Sequence, residues 1–135
     1  MKFWFSVASA FCLALTVSAC ARKQPIHNVI EAPVSIAAAK APSLARVRSA
    51  IITACVDVDV DNRWFVDPKI DGQIIASAQV RGHRAVVDIF YSPTSYSIKY
   101  KDSDGLLYDG QQIDQEYNER IRLLAERIDI ELNKL

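Results

Sequence analysis

The sequence predicts an α+β domain: an antiparallel sheet of three to four strands flanked by an N-terminal and a C-terminal helix. Three observations carry this. Apolar and polar residues alternate through three runs between Ile74 and Tyr100, the period of half-buried strands. The links between these runs are too short for crossovers, so neighbouring strands pair antiparallel. From Ile113 to Leu135 apolar residues step by three or four, the period of one helix face. A sheet with one apolar face needs a covering layer, which the helices supply.

The single domain is expected over 43–135. Ser43 is a candidate N-cap, and Leu44, Val47, Ile51, Ala54 and Cys55 fall on one helical face. Val56-Asp57-Val58-Asp59-Val60-Asp61 then alternates strictly, which predicts a strand with valines on one face and carboxylates on the other. Trp64-Phe65-Val66 predicts a short strand ended by Asp67-Pro68. Asp71-Gly72 is a turn before the alternation Ile74, Ala76, Ala78, Val80. Arg81-Gly82-His83 reverses the chain into Ala85, Val87, Ile89, Tyr91, and Ser92–Ser95 reverses it into Tyr96, Ile98, Tyr100.

The last helix carries Ile113, Tyr117, Ile121, Leu124, Ile128, Leu132 and Leu135 as one apolar stripe. Leu123 and Ile130 lie beside it and are expected to widen the buried face. The pairs Glu116–Arg120, Arg122–Glu126 and Arg127–Glu131 have i,i+4 spacing, each worth about 0.2–0.5 kcal/mol.

The N-terminus has a different character. Lys2 leads an apolar run from Phe3 to Val17, which closes on Val17-Ser18-Ala19-Cys20. The run is too short for a comfortable membrane span. It resembles a bacterial lipoprotein signal peptide ending in the lipobox of signal peptidase II. The resemblance implies a signal peptide over 1–19 and lipidation of Cys20, the residue that becomes the mature N-terminus. Ala21 is not the aspartate associated with inner-membrane retention, so the implied location is the outer membrane, facing the periplasm. Ala19-Cys20-Ala21 also satisfies the small-x-small rule of ordinary secretory cleavage, which would release a soluble protein.

Cysteine usage fits the lipid reading. Cys12 leaves with the signal peptide and Cys20 carries lipid, so Cys55 is the remaining thiol and no internal disulfide or zinc site is expected. Its apolar neighbours mark Cys55 as a buried structural residue. Residues 20–42 read as the lipidated N-terminus and a flexible tether, interrupted by Pro25, Pro33 and Pro42. Such a tether has a typical reach of roughly 25 Å. Arg22 and Lys23 would lie beside anionic headgroups, gaining on the order of 1 kcal/mol each.

Two groups of side chains suggest binding. Asp57, Asp59 and Asp61 imitate the opening of an EF-hand loop, but Asn62 stands where glycine is needed and Pro68 where the bidentate glutamate belongs. Three carboxylates on one strand face would hold a hard cation weakly at best. Tyr100, Asp102 and Ser103 leave the last strand while Tyr108, Tyr117 and Asn118 approach from the helix start, the composition of a polar pocket with aromatic walls. The same residues also serve ordinary structural roles, as half-buried phenols and turn caps.

This region, with Tyr91, Tyr96-x-Ile98-x-Tyr100-x-Asp102-Ser103, Leu107-Tyr108, Ile113 and Tyr117-Asn118, resembles a group of small uncharacterised Gram-negative envelope lipoproteins. The likeness spans roughly residues 64–132. Arg63 and Arg120 depart from the group's pattern, which has glycine and tryptophan there. The resemblance implies fold and location; it names no activity.

Catalytic signals are lacking. His27 and His83 have no nucleophile or acid at informative spacing, and no hydrolase, zinc-protease or phosphate-loop motif occurs. No basic patch with interleaved aromatics suggests nucleic acid. The expectation is therefore a lipid-anchored, non-enzymatic module without a cofactor, docking on an envelope protein. A small-ligand or weak cation binder is the alternative. Trp64, Phe65 and Phe90 break the simple alternation and are the candidates for an exposed apolar patch.

Overall fold

The computed structural model describes residues 22–34 and 40–135. The expected signal peptide over 1–19, the expected lipidation site Cys20, Ala21 and residues 35–39 lie outside the described residues.

The fold is α+β, with two helices, a five-stranded antiparallel sheet and a separate two-stranded sheet. The expected three to four strands understate the count. Strand β1 (Lys23–Pro25) pairs with β7 (Gln112–Asp114), while β2 (Val29–Pro33) joins the main sheet at its edge. Helix α1 (Leu44–Val56) follows, then the meander β3 (Phe65–Ile70), β4 (Gln73–Val80), β5 (His83–Tyr91) and β6 (Ser95–Ser103). Helix α2 (Gln115–Leu132) closes the chain. The main sheet has the order β2-β6-β5-β4-β3.

The tether reading therefore fails for its first half. β1 and β2 are too short to show a period, and Pro25 and Pro33 fall at strand ends, where a missing N–H is tolerated. β2 also carries a register shift between Val29 and Ala32. Arg22 and Lys23 are likewise turned to the domain: Arg22 reaches Asp114 at 3.1 Å and Lys23 reaches Asp109 at 2.6 Å. Side chains fix the intervening link, since Asn118 donates to the Pro25 carbonyl and accepts from the His27 N–H, both at 2.9 Å.

The core lies between one sheet face and both helices. Ile74, Ala76, Ala78 and Val80 of β4, Ala85, Val87, Ile89 and Tyr91 of β5, and Tyr96 and Ile98 of β6 point into it. α1 contributes Val47, Ala50, Ile51, Ala54 and Cys55, and α2 the stripe from Tyr117 to Leu132. Ser43 caps α1 through its side chain to the Arg46 N–H, a contact worth about 1 kcal/mol. Asp114 caps α2 through the Glu116 N–H.

Four local expectations are overturned. Val56–Asp61 is not a strand: Val56 ends α1 and Val60–Asn62 forms a 3₁₀ turn. The Asp59 carboxylate accepts from both the backbone and side-chain amides of Asn62, a local alternative to a sheet ladder. β3 runs through Pro68 because it is an edge strand. Leu123 and Ile130 are exposed, outside the face of α2 that the sheet covers. The expected i,i+4 pairs on α2 do not form among the described residues: Arg122 pairs with Glu119 at i,i+3, 3.0 Å away, and Glu116 lies 3.8 Å from Arg81. Arg120 and Arg127 donate instead to the backbone carbonyls of Asp61 and Asn62, which ties α2 to the 3₁₀ turn.

Candidate functional site

The tyrosine corner forms only in part. Tyr100 lies 4.1 Å from Tyr108 between ring centroids and meets Tyr117 edge-on at 5.8 Å. The Tyr100 hydroxyl is 2.9 Å from the Ser103 hydroxyl. Tyr117 is fully buried, and burial, with the neighbouring phenols Tyr100 and Tyr108, raises its hydroxyl above the ordinary range. That hydroxyl has no hydrogen-bond partner among the described residues.

The other two residues are occupied elsewhere. Asp102 does not join the corner, because a bulge intervenes. Val86 pairs with Asp102 and Val87 with Tyr100, so Lys101 is the extra residue and reverses the faces beyond it. Asp102 then points to the outer face and pairs with Arg84 at 2.7 Å, while Ser103 swings inward. Asn118 is buried with its amide spent on Pro25 and His27. A shallow cleft of about 470 Å³ runs along 100–108, but the binding constellation expected there is divided among a ring stack, an ion pair and a backbone clamp.

The acidic run gives no cation cradle. Asp59 is held by Asn62, and that hydrogen bond lowers its carboxyl below the usual range. Among the described residues no three His, Cys, Asp or Glu side chains are grouped to hold a metal ion. Cys55 is buried, as expected, and burial pushes its thiol up to about 12, with Arg127 opposing the shift.

Two other surfaces stand out. The first is the sheet face opposite the helices. Phe65, Ser77 and Val86 form one cross-strand row on it, Asp67, Ile75, Asp88 and Lys99 a second, and Gln73, Phe90 and Ser97 a third. Phe65 is 66% exposed and Phe90 39%, whereas Trp64 is fully buried and leaves the candidate patch. The Lys99 ammonium sits 5.7 Å from the centre of the Phe90 ring and has no carboxylate partner among the described residues. Alternation pointed to Phe65 and Phe90; nothing in the sequence spacing pointed to Lys99, whose position is a diagonal across β5 and β6.

The second is a cleft of about 470 Å³ lined by Arg63, Arg81, Arg120, Asp61, Val60 and Phe65, among others. Its arginines come from the end of the 3₁₀ turn before β3, the β4–β5 turn and α2. No motif joins residues so far apart in the chain, so sequence reasoning missed them. Arg120 spends one donor on the Asp61 carbonyl at 2.6 Å, and Arg81 lies 3.8 Å from Glu116.

No protein family, curated protein or solved structure matches the chain.

Proposed function

We propose that this chain is a lipid-anchored module of the bacterial outer membrane, held through Cys20 and facing the periplasm, whose bare sheet face docks on an envelope protein without catalysis. The observation that supports it is that face: Phe65 and Phe90 stand exposed on a sheet whose other side alone is covered by helices. Exposed aromatics on a rigid sheet cost little ordering entropy on association and are frequent anchors of interfaces. Lys99, poised over Phe90 without a carboxylate, sets the partner's chemistry: apolar side chains flanked by an acidic group.

The test is photocrosslinking in cells from a probe at Phe90, with a probe at Ile130 on the opposite side as control. A partner captured at Phe90 but not at Ile130, and lost with Phe65→Asp or Cys20→Ser, supports the reading. Equal capture from both positions, or none from either, overturns it.

A further inference from the structure

The place where the chain enters the domain fixes which end faces the membrane. Only Ala21 and Arg22 separate Cys20 from Lys23, a span of at most about 11 Å between their Cα atoms. Lys23 lies opposite Asp114, the residue that caps α2. β1 is clamped to the domain by its pairing and by Asn118, so no slack follows. Everything at this end of the domain therefore lies close to the lipid on Cys20.

The register shows what else is there. β4 and β5 join at Arg81-Gly82, β6 ends at Ser103 opposite Ala85, and β3 starts at Phe65 opposite Ser77. The β6–β7 loop carries Leu107, 54% exposed with φ of 58°, and Tyr108, 41% exposed. Leu107 holds a left-handed backbone that disfavours a branched side chain, and holds it with the side chain out in solvent. The loop beneath is firm. Leu106 is buried and its carbonyl accepts from Asp114, while Gly105 packs so closely on His83 that a Cβ there would overlap the imidazole. At the same end, Arg63, Arg81 and Arg120 line the second cleft, with Val60 80% exposed beside them.

We infer that this end of the domain rests on the bilayer, with Leu107 and Tyr108 in the interface and the Arg63–Arg81–Arg120 cleft over anionic lipid phosphates. The inference rests on the lipid-anchored reading of Cys20. A leucine and a tyrosine on a fixed loop suit the headgroup boundary, where amphipathic rings settle. Guanidinium groups suit phosphate, which they bind through planar paired donors. Three arginines line the cleft against one lining carboxylate, Asp61. Asp102 and Asp109, which flank the loop, are held by Arg84 and Lys23, so Asp104 is the loop carboxylate without an ion pair among the described residues.

The test uses the full lipidated protein, purified from membranes and reconstituted in phosphatidylglycerol-containing vesicles doped with headgroup-nitroxide lipid. A fluorophore is placed on Leu107→Cys, Val60→Cys or, at the far end of β3, Lys69→Cys; buried Cys55 stays unlabelled. Quenching at 107 and 60 is expected to exceed that at 69 by roughly threefold or more, given shallow interfacial insertion. Arg63→Gln with Arg81→Gln is expected to reduce quenching at 60 and leave 107 quenched. Equal quenching at all three positions overturns the orientation. Unchanged quenching at 60 in the double variant, or in pure phosphatidylcholine vesicles, overturns the phosphate role. Mass spectrometry of the same sample reads the lipid on Cys20: a protein without it sinks the anchored reading itself, while a lipidated protein with unquenched probes sinks only this inference.

Discussion

Replacing Asn118 with alanine removes the clamp that holds the N-terminal segment to the domain. Its amide donates to the Pro25 carbonyl and accepts from the His27 N–H, each at 2.9 Å, from a side chain that is almost wholly buried. Two such bonds contribute roughly 1–3 kcal/mol net. Both backbone groups then lose their partner in a part-buried setting, which brings the expected loss to about 2–4 kcal/mol. For a domain of this size 1 kcal/mol moves the melting temperature by roughly 3–5 °C, so the variant should melt about 6–20 °C lower. Circular dichroism measures the melting point, and hydrogen exchange locates the damage. Amides of β1 and β2 should lose protection first, while β4 and β5 keep theirs. A loss below about 0.5 kcal/mol, with exchange in residues 23–33 unchanged, would mean that the clamp carries no load and would refute the reasoning.

Two of the buried phenols, Tyr96 and Tyr117, should respond in opposite ways. Tyr96 donates to the Asp129 carboxylate at 2.7 Å, so Tyr96→Phe should cost about 1.5–3 kcal/mol in urea denaturation. Tyr117→Phe deletes a buried hydroxyl with no partner among the described residues and should leave stability unchanged or raise it by about 1 kcal/mol; equal losses in the two variants would contradict this. Cys55, with its thiol raised from 9.0 to about 12, should resist Ellman's reagent at neutral pH until the protein unfolds. Its raised folded value favours the neutral thiol, so this contribution to stability is complete below pH 9.0 and fades as pH climbs toward 12. Asp109 has the reverse sign: the Lys23 ammonium and the Gln112 and Gln111 N–H groups hold its carboxyl well below the usual range. Its contribution is present above the ordinary carboxylate value near ~4 and is lost as pH falls below it. Exchange protection in β1 and β7 should therefore drop in acid, and Asp109→Asn should abolish that dependence.

The elements legible in the sequence are those whose environment is set by one simple partition. β4, β5 and α2 each have a buried side and a solvated side, so their periods of two and 3.6 survive in the residue pattern. β1 and β2 lack such a period because their partners, not their own side chains, define them: β7, β6, Asn118 and the Ser97 hydroxyl that receives the Glu31 N–H. The valine–aspartate run shows the opposite failure. Its alternation is perfect, but no strand lies beside it, and the aspartate that would have faced solvent caps a turn. At the tyrosine corner the aromatic residues were legible and the carboxylate was not, because one inserted residue, Lys101, exchanges the faces of Asp102 and Ser103. The arginine cleft had no local signature at all; it exists only because α2 is tied to the 3₁₀ turn through Arg120 and Arg127 and lies beside the β4–β5 turn through Arg81 and Glu116.

Only Ala21 and Arg22 separate Cys20 from β1, and this short link connects the two proposed surfaces. A long tether would let the domain tumble, and the bare sheet face would then search a wide shell of the periplasm. With β1 paired to β7 from Lys23 onward, the proposed membrane contact at Leu107 and the arginine cleft would leave the helix-free sheet face beside the bilayer rather than against it. A nine-residue strand spans about 30 Å, so in the proposed orientation Phe65, Phe90 and Lys99 would all lie within roughly that height of the lipid surface. In that proposed orientation Phe90 and Lys99 would be presented to a protein embedded in or resting on the same leaflet rather than to one bound across the periplasm. Such confinement raises the effective concentration of a membrane-proximal partner without adding any contact. Asn118→Ala then becomes a test of function as well as stability: unpinning β1 lengthens the free chain, so crosslinking at Phe90 should weaken even where the sheet itself remains folded.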